Sequence, residues 1–230
     1  MSWTCHGKSN SELVDNLKSC KILKTQRVVE AMKAVDRAAF VVGNVRKSAY
    51  VDSPLPIGYN ATISAPHMHA HCLELMEPYL RPGGKVLDVG SGSGYLTAVF
   101  AMLVGASGMA VGVEHIGELV ERSAEAARAV PATAELVQAG ALRFVQGDGR
   151  LGYEAAAPYD CIHVGAAAFP LPKPLTEQLK NGGRMVIPWG PPSGAQQLMV
   201  VDKAADGTVT ESVAMSVRYV PLTSAKEQLG

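Results

Sequence analysis

The chain has 230 residues, 47% of them hydrophobic and 18% charged, a balance that suits one sizeable folded core and excludes a disordered or fibrous class. Its 21 Lys and Arg equal its 21 Asp and Glu, and no long run of like charge occurs, so nothing marks a surface for nucleic acid or an anionic membrane. The start, Met1-Ser-Trp-Thr-Cys-His-Gly-Lys8, has neither an apolar signal core nor an Arg-rich transit pattern, which makes a cytoplasmic location the expectation. Cys5, Cys20, Cys72 and Cys161 are far apart and form no C-x-x-C pair, the spacing of reduced thiols rather than of a disulfide or zinc framework.

In chain order, residues 9–40 read as helical. Ser9 and Glu12 fit a capping box, Leu13 and Leu17 lie one turn apart, and Val28, Met32 and Val35 repeat the helical spacing. Residues 43–66, punctuated by Pro and Gly, read as a connection without an element of its own, and loops of that length tend to be functional. A helix is expected over 66–80. Within it His67 and His71 share one face like a pair of metal ligands, but no third ligand follows at a recognisable spacing and Pro66 marks a helix start, so no metal is expected.

From residue 85 strands and helices alternate. Apolar strand candidates fall at 85–89, 109–113, 142–146, 160–164 and 184–188, with helical stretches between them, including 117–130 and 175–180. This is the pattern of a doubly wound, mostly parallel α/β sheet with helices on both faces. Residues 89–113 carry no charge, yet glycines at 90–94 and 105–108 cut the run into pieces too short to cross a bilayer. Two last strands, 197–201 and 212–219, joined through Asp206-Gly207, read as a C-terminal antiparallel hairpin.

The segment Lys85-Val-Leu-Asp-Val-Gly-Ser-Gly-Ser-Gly94 joins a buried strand to a glycine turn that opens a helix at Tyr95. Gly90, Gly92 and Gly94 allow a sharp turn and close approach to a ligand. Dinucleotide sites have the spacing G-x-G-x-x-G; here it is G-x-G-x-G, and Asp88 just ahead would repel a pyrophosphate. An acid there suits a cofactor with a cationic end, such as S-adenosylmethionine. Glu114, with His115 beside it, ends the next strand twenty residues after Gly94, the distance of an acid that takes hydrogen bonds from ribose hydroxyls. Asp148 and Gly149 end the third strand, where they could meet an adenine; alone, Asp148 reads equally well as a turn or cap residue. Around His163, Gly165-Ala-Ala-Ala168 leaves room for a substrate.

Over nearly its whole length the sequence resembles the protein L-isoaspartate (D-aspartate) O-methyltransferases. The resemblance rests on Ala61-Thr-Ile-Ser64-Ala-Pro-His-Met-His-Ala70, Leu87-Asp-Val-Gly-Ser-Gly-Ser-Gly-Tyr-Leu-Thr97, Gly147-Asp-Gly-Arg150 with Pro158-Tyr-Asp160, His163-Val-Gly-Ala-Ala-Ala168, Leu179-Lys-Asn-Gly-Gly-Arg184 and Tyr219-Val-Pro-Leu-Thr223. It implies a Rossmann-like S-adenosylmethionine-dependent methyltransferase with N-terminal helices, in one domain over 1–230. Residues 1–80 would cap substrate and cofactor, 81–190 form the cofactor-binding core, and 191–230 supply the hairpin and tail.

The resemblance further implies cofactor contact by Ala61, Thr62, Ile63, Ser64, His69, Asp88, Glu114, Asp148, Gly149, Thr223 and Gln228, and assigns the catalytic role to Ser64. Read without it, Ser64 is a polar turn residue ahead of the Pro66 helix. The implied partners are proteins and peptides containing isoaspartyl residues, with no nucleic acid or membrane, and the implied state is a monomer. Two other functions remain open at this point: methylation of a small carboxylic acid, which the same cofactor half would serve, and a recognition module without turnover.

Overall fold

The structure is a computed structural model that describes residues 5–191 and 193–230. Two helices, α1 (Asn10–Ser19) and α2 (Gln26–Ala34), lead through 3-10 turns at Arg37–Phe40 and Gly43–Ser48 to a small antiparallel hairpin, β1 (Leu55–Gly58) and β2 (Ala61–Ile63). Next come α3 (Pro66–Met76) and then the alternation β3 (Lys85–Val89), α4 (Tyr95–Val104), β4 (Met109–Glu114), α5 (Gly117–Ala129), α6 (Pro131–Gln138), β5 (Leu142–Gln146) and β6 (Tyr159–Val164). The chain finishes with α7 (Lys173–Gln178), β7 (Leu179–Trp189), β8 (Gln196–Lys203), β9 (Val209–Val217) and a short α8 (Ala225–Leu229).

The large sheet has the order β5-β4-β3-β6-β7-β8-β9. The first five strands run parallel and the last two pair antiparallel. The chain leaves β3 toward β4 on one side and returns through β6 on the other, so the carboxyl ends of β3 and β6 flank the switch point where such sheets bind ligands.

Alternation along the strands divides the core in two. Val86, Ala110, Cys161, Val186 and Leu198 face one side, packed with the N-terminal helices, α4 and α5. Their neighbours Leu87, Val111, Ile162, Met185 and Val201 face the other, against α7. Covered on both faces, the central strands are buried at nearly every position, four of five in β3 and five of six in both β4 and β6. Helix α4 is buried at nine of its ten residues, which explains its uncharged sequence. No described helix is long and apolar enough to cross a membrane.

Several expectations are corrected. Residues 43–66 do hold elements, the 3-10 turn and the β1–β2 hairpin, whose two-residue loop Tyr59-Asn60 takes positive φ at both positions (53° and 55°). Asn tolerates that conformation but Tyr rarely does, so the turn carries little sequence signal. The helix expected over 66–80 ends at Met76 and continues only as a 3-10 turn, Glu77–Tyr79, around Pro78. Strand β7 starts at Leu179 rather than 184, because a register shift opposite Tyr159/Cys161 absorbs Asn181-Gly182-Gly183. A separate helix α6, begun by Pro131, was not anticipated.

The four reduced cysteines are also corrected: Cys5 and Cys20 form a disulfide, their Cα atoms 6.8 Å apart, while Cys72 and Cys161 are free and buried. The pairing comes from tertiary contacts invisible to a spacing rule. Gly7 N–H donates to the Tyr50 carbonyl and Asn16 Nδ2 to the His6 carbonyl, folding the start of the chain back over the end of α1.

Candidate active site

The glycine turn is tied to the neighbouring strand. Gly90 and Ser91 N–H both donate to the Val113 carbonyl (2.8 and 3.1 Å), so the loop hugs the end of β4. Glu114 is 7% exposed; its Oε2 accepts from Gly92 N–H at 3.0 Å and its Oε1 from Ile116 N–H at 3.1 Å. Those two bonds hold the carboxylate at the cleft wall and leave lone pairs for a ligand's hydroxyls. The three glycines have φ of +68°, +53° and +78°, the left-handed region. Gly94 has a further reason of its own. A Cβ there would lie 2.7 Å from Phe144 and Ser123, so it lets α4 approach α5 and β5 and does not line the cleft.

A narrow cleft runs over this turn. Among the residues expected to meet a cofactor, Ala61, Thr62, Gly90, Gly92, Glu114, His115, Gly149, Thr223 and Gln228 line it, with Gly165, Val220 and Leu222 in addition. Five do not. Ile63 is buried at the end of the hairpin's second strand, and Asp148 is held by Arg150, whose Nη2 lies 2.6 Å from its Oδ2. That hydrogen bond keeps the Asp148 carboxyl below its usual range. Asp88 lies beneath the turn and points inward: its Oδ2 accepts from Thr97 Oγ1 (2.5 Å) and its Oδ1 sits 2.8 Å from His163 Nδ1. His69 is buried against Arg37 Nη1 (3.4 Å) and the Tyr95 ring, and burial, with the Arg37 charge behind it, pushes its pKa well down. The fifth, Ser64, faces a second cavity.

Burial alone would push the His163 imidazole down as well. The Asp88 carboxylate and a contact with Cys72 outweigh burial and lift it to about 10, so a buried ion pair lies under the turn at neutral pH.

The chain's end closes the cleft from above. Ser224 and Glu227 form a capping box that starts α8, and Thr223 Oγ1 hydrogen-bonds to Glu227 as well. Gln228 then joins three elements: its Oε1 lies 2.9 Å from His115 Nε2, its Nε2 donates to the Tyr59 carbonyl (2.7 Å), and its carbonyl accepts from Asn60 Nδ2 (2.9 Å). With this latch seated the cleft holds about 50 Å³.

Beside it lies a wider groove of about 520 Å³, walled by Ser64, His67, Met68 and His71 on one side and by residues 215–220 on the other. The two cavities share Thr62, Gly165 and Val220, which form the passage between them. Ser64 stands at this passage, and the Tyr219 side chain lies beside Ser64 and Cys72. Burial raises the Tyr219 pKa well above its ordinary value, so it keeps its proton.

A family profile for protein-L-isoaspartate(D-aspartate) O-methyltransferase matches residues 8–227. A protein-L-isoaspartate O-methyltransferase of Triticum aestivum is 58% identical over 222 residues, which cover 96% of this chain and 94% of that one. The chain belongs to this family. A Caenorhabditis elegans protein-L-isoaspartate O-methyltransferase is 47% identical over 228 residues, covering 99% and 98% of the two chains. Among solved structures, that of a family member from Plasmodium falciparum in complex with S-adenosyl-L-homocysteine superposes with a TM-score of 0.85. It is 30% identical, and the match covers 94% of this chain and 99% of that one.

The cleft of this family member has the chemistry to hold such a cofactor. A Cβ on Gly149 would meet Val89 Cγ1 at 2.6 Å and one on Gly165 would meet the Gly90 carbonyl at 2.8 Å, so the floor is bare backbone that a flat ring can approach. The acceptors along the wall, Glu114 above all, match a molecule rich in hydroxyl and amino donors. Space is the limiting term: about 50 Å³ is room for one or two waters, so the latch must lift before an adenosine enters. Sequence reasoning missed the latch's partners Tyr59 and Asn60, and missed Tyr219 as the support of Ser64. The pattern Tyr219-Val-Pro-Leu-Thr223 was visible, but its contact with Ser64, 155 positions away, was not.

Proposed function

We propose that this chain is an S-adenosylmethionine-dependent repair enzyme that methylates the free α-carboxyl of L-isoaspartyl and D-aspartyl residues in damaged proteins and peptides. The backbone amide nitrogen then displaces methanol from the ester to close a succinimide, which water opens in part to normal aspartate. The observation that carries this reading is the pair of cavities meeting at Thr62, Gly165 and Val220, a latched cleft over the glycine turn on one side and an open peptide-sized groove on the other. The whole chain acts as one unit, since the N-terminal hairpin, the sheet and the tail each supply walls.

Bound S-adenosylmethionine supplies a methyl group activated for transfer. Everything else falls to the protein's own residues. A carboxylate is ionised at neutral pH and needs no general base. What is required is alignment of carboxylate oxygen and methyl carbon, a proximity effect worth several kcal/mol. Ser64, braced by Tyr219, holds the substrate carboxylate by a hydrogen bond. Glu114 holds the ribose hydroxyls, Gly90, Gly92 and Gly149 let the cofactor lie close, and His115, Thr223 and Gln228 close over it. Asp88, Gly94, His69 and Asp148 act indirectly, by fixing the turn and the walls.

An isoaspartyl residue carries its carboxylate on a shorter arm than normal Asp. A passage that aligns the shorter arm holds the longer one out of line by about one bond length, and a misplacement of about 1 Å costs on the order of a hundredfold in rate. Transfer of labelled methyl to matched isoaspartyl and aspartyl peptides tests the reading. Methylation confined to the isoaspartyl member is expected; equal rates on both, or activity only on free small acids, would overturn it. Ser64→Ala should lower kcat by about tenfold or more while cofactor affinity holds within about twofold.

The protein works as a monomer in the cytoplasm, without nucleic acid or membrane partners. Its even charge and the absence of a membrane-length helix among the described residues support this. Light scattering of the purified protein and fractionation of its source cells test it, the second sharply, because a disulfide such as Cys5–Cys20 is uncommon in a reducing cytosol.

A further inference from the structure

The charge in the peptide groove is uneven. No Asp or Glu lines it, and three of its walls are basic residue types. His67 is bonded to an acid behind the wall, since its N–H and Nδ1 both meet Asp52 Oδ1 (2.9 and 2.8 Å). His71 is pushed down by burial first, then by His67 and Lys24, and is uncharged at neutral pH. Arg218 differs from both. It is exposed and, among the described residues, enters no ion pair. The same side chain walls a neighbouring pocket of about 290 Å³ whose other walls, Ser193, Gln196, Gln197 and Ser216 among them, carry no charge.

Its position along the groove follows from the strand that precedes it. Strand β9 is the free edge of the sheet, paired only with β8, and it runs straight into the groove. Past its end the alternation persists: Ser216, Arg218 and Val220 are exposed while Val217 and Tyr219 are half-buried. Val220 belongs to both cavities and marks the place of methyl transfer. Arg218 stands two residues before it on the same side, about 7 Å along an extended chain. A substrate segment lying extended beside this edge has the same rise per residue, so the side chain two positions from the isoaspartate comes opposite the guanidinium.

We propose that Arg218 is a specificity residue: it gives this enzyme a preference for isoaspartyl sites that carry an acidic side chain two residues away on one flank. The inference rests on the groove being the peptide site. A surface guanidinium facing a carboxylate contributes a modest, salt-screened attraction, enough to bias the choice among lesions without deciding whether a lesion is methylated. The attraction exists before and during transfer alike, so it acts through KM and leaves kcat alone.

The test uses the full-length enzyme and an isoaspartyl peptide with Ala at both second-neighbour positions, beside versions with Glu or Lys placed two residues before or two residues after the lesion. At low salt, Glu on one of the two flanks should raise kcat/KM about threefold to fivefold over Ala, through KM, and Lys on that flank should lower it. Arg218→Glu should reverse this order and Arg218→Gln should flatten it. Each ratio is taken within one enzyme, so a general loss of activity in a variant cancels. Glu-to-Ala ratios that are the same in the wild type and in Arg218→Glu on both flanks would overturn the selectivity while leaving the repair reaction standing. Failure of the wild type to methylate even the Ala peptide would take both down.

Discussion

At the scale of single residues, the turn between β3 and α4 owes its rigidity to charge below it as much as to glycine within it. Asp88, an acid that by sequence suits a cationic cofactor, is bonded in the structure to His163 and Thr97 under the turn. The sequence marks an acid at that position but not the direction in which it points, because direction depends on a histidine 75 residues later. The pair has a consequence in pH. His163 binds its proton more tightly folded, with a pKa of about 10, than unfolded, near 6.5. Its contribution to stability is therefore complete below about pH 6.5 and fades as pH rises toward 10. Replacing His163 by Gln should lower stability at pH 7 by a few kcal/mol, since it strands a buried carboxylate. The gap between the two proteins should then narrow on going to pH 10, and melting temperatures across that range decide the matter: parallel curves would mean that the imidazole is not charged in the folded state.

At the scale of elements, what sequence patterns can show is periodicity and local turn chemistry, and those parts were legible. Strand β3, the start of α4, strand β5 and the antiparallel pair β8–β9 lie within a few residues of where apolar runs and glycines place them. Glu114 and the glycine turn could be found because both belong to one βα unit of consecutive residues. Elements that rely on distant partners were not legible. The β1–β2 hairpin has a Tyr in a left-handed turn, and nothing local announces that Ala61 and Thr62 are strand residues walling a cleft. The Cys5–Cys20 bond is the same case. It closes a separation of 15 residues around α1, and a loop of that size contributes about 3 kcal/mol by restricting the unfolded chain. Cys5→Ser with Cys20→Ser, or reduction of the native protein, should lower the stability measured by denaturant unfolding by about that amount. An unchanged midpoint would show that the pair adds nothing to the fold.

At the scale of the whole molecule, the N-terminal hairpin and the C-terminal tail meet the middle of the chain at one place. The hairpin from the N-terminal third, the ends of β3, β4 and β6, and the tail through α8 together wall a site that no one of them contains. Gln228 alone bonds to Tyr59, Asn60 and His115. Breaking these contacts, by Gln228→Ala or by removing residues 224–230, should speed release of bound S-adenosylhomocysteine by about tenfold, the equivalent of one to two hydrogen bonds, measured by chase with labelled ligand. An unaltered release rate would mean that the tail is not the barrier. Tyr219 and Val220, at the start of the segment that carries the latch, also wall the peptide groove. A protein substrate seated there would press the tail shut over whatever lies beneath. Catalysis then becomes a compulsory-order process, with the small molecule first in and last out. Its signature is product inhibition by S-adenosylhomocysteine that is competitive against S-adenosylmethionine and noncompetitive against the peptide.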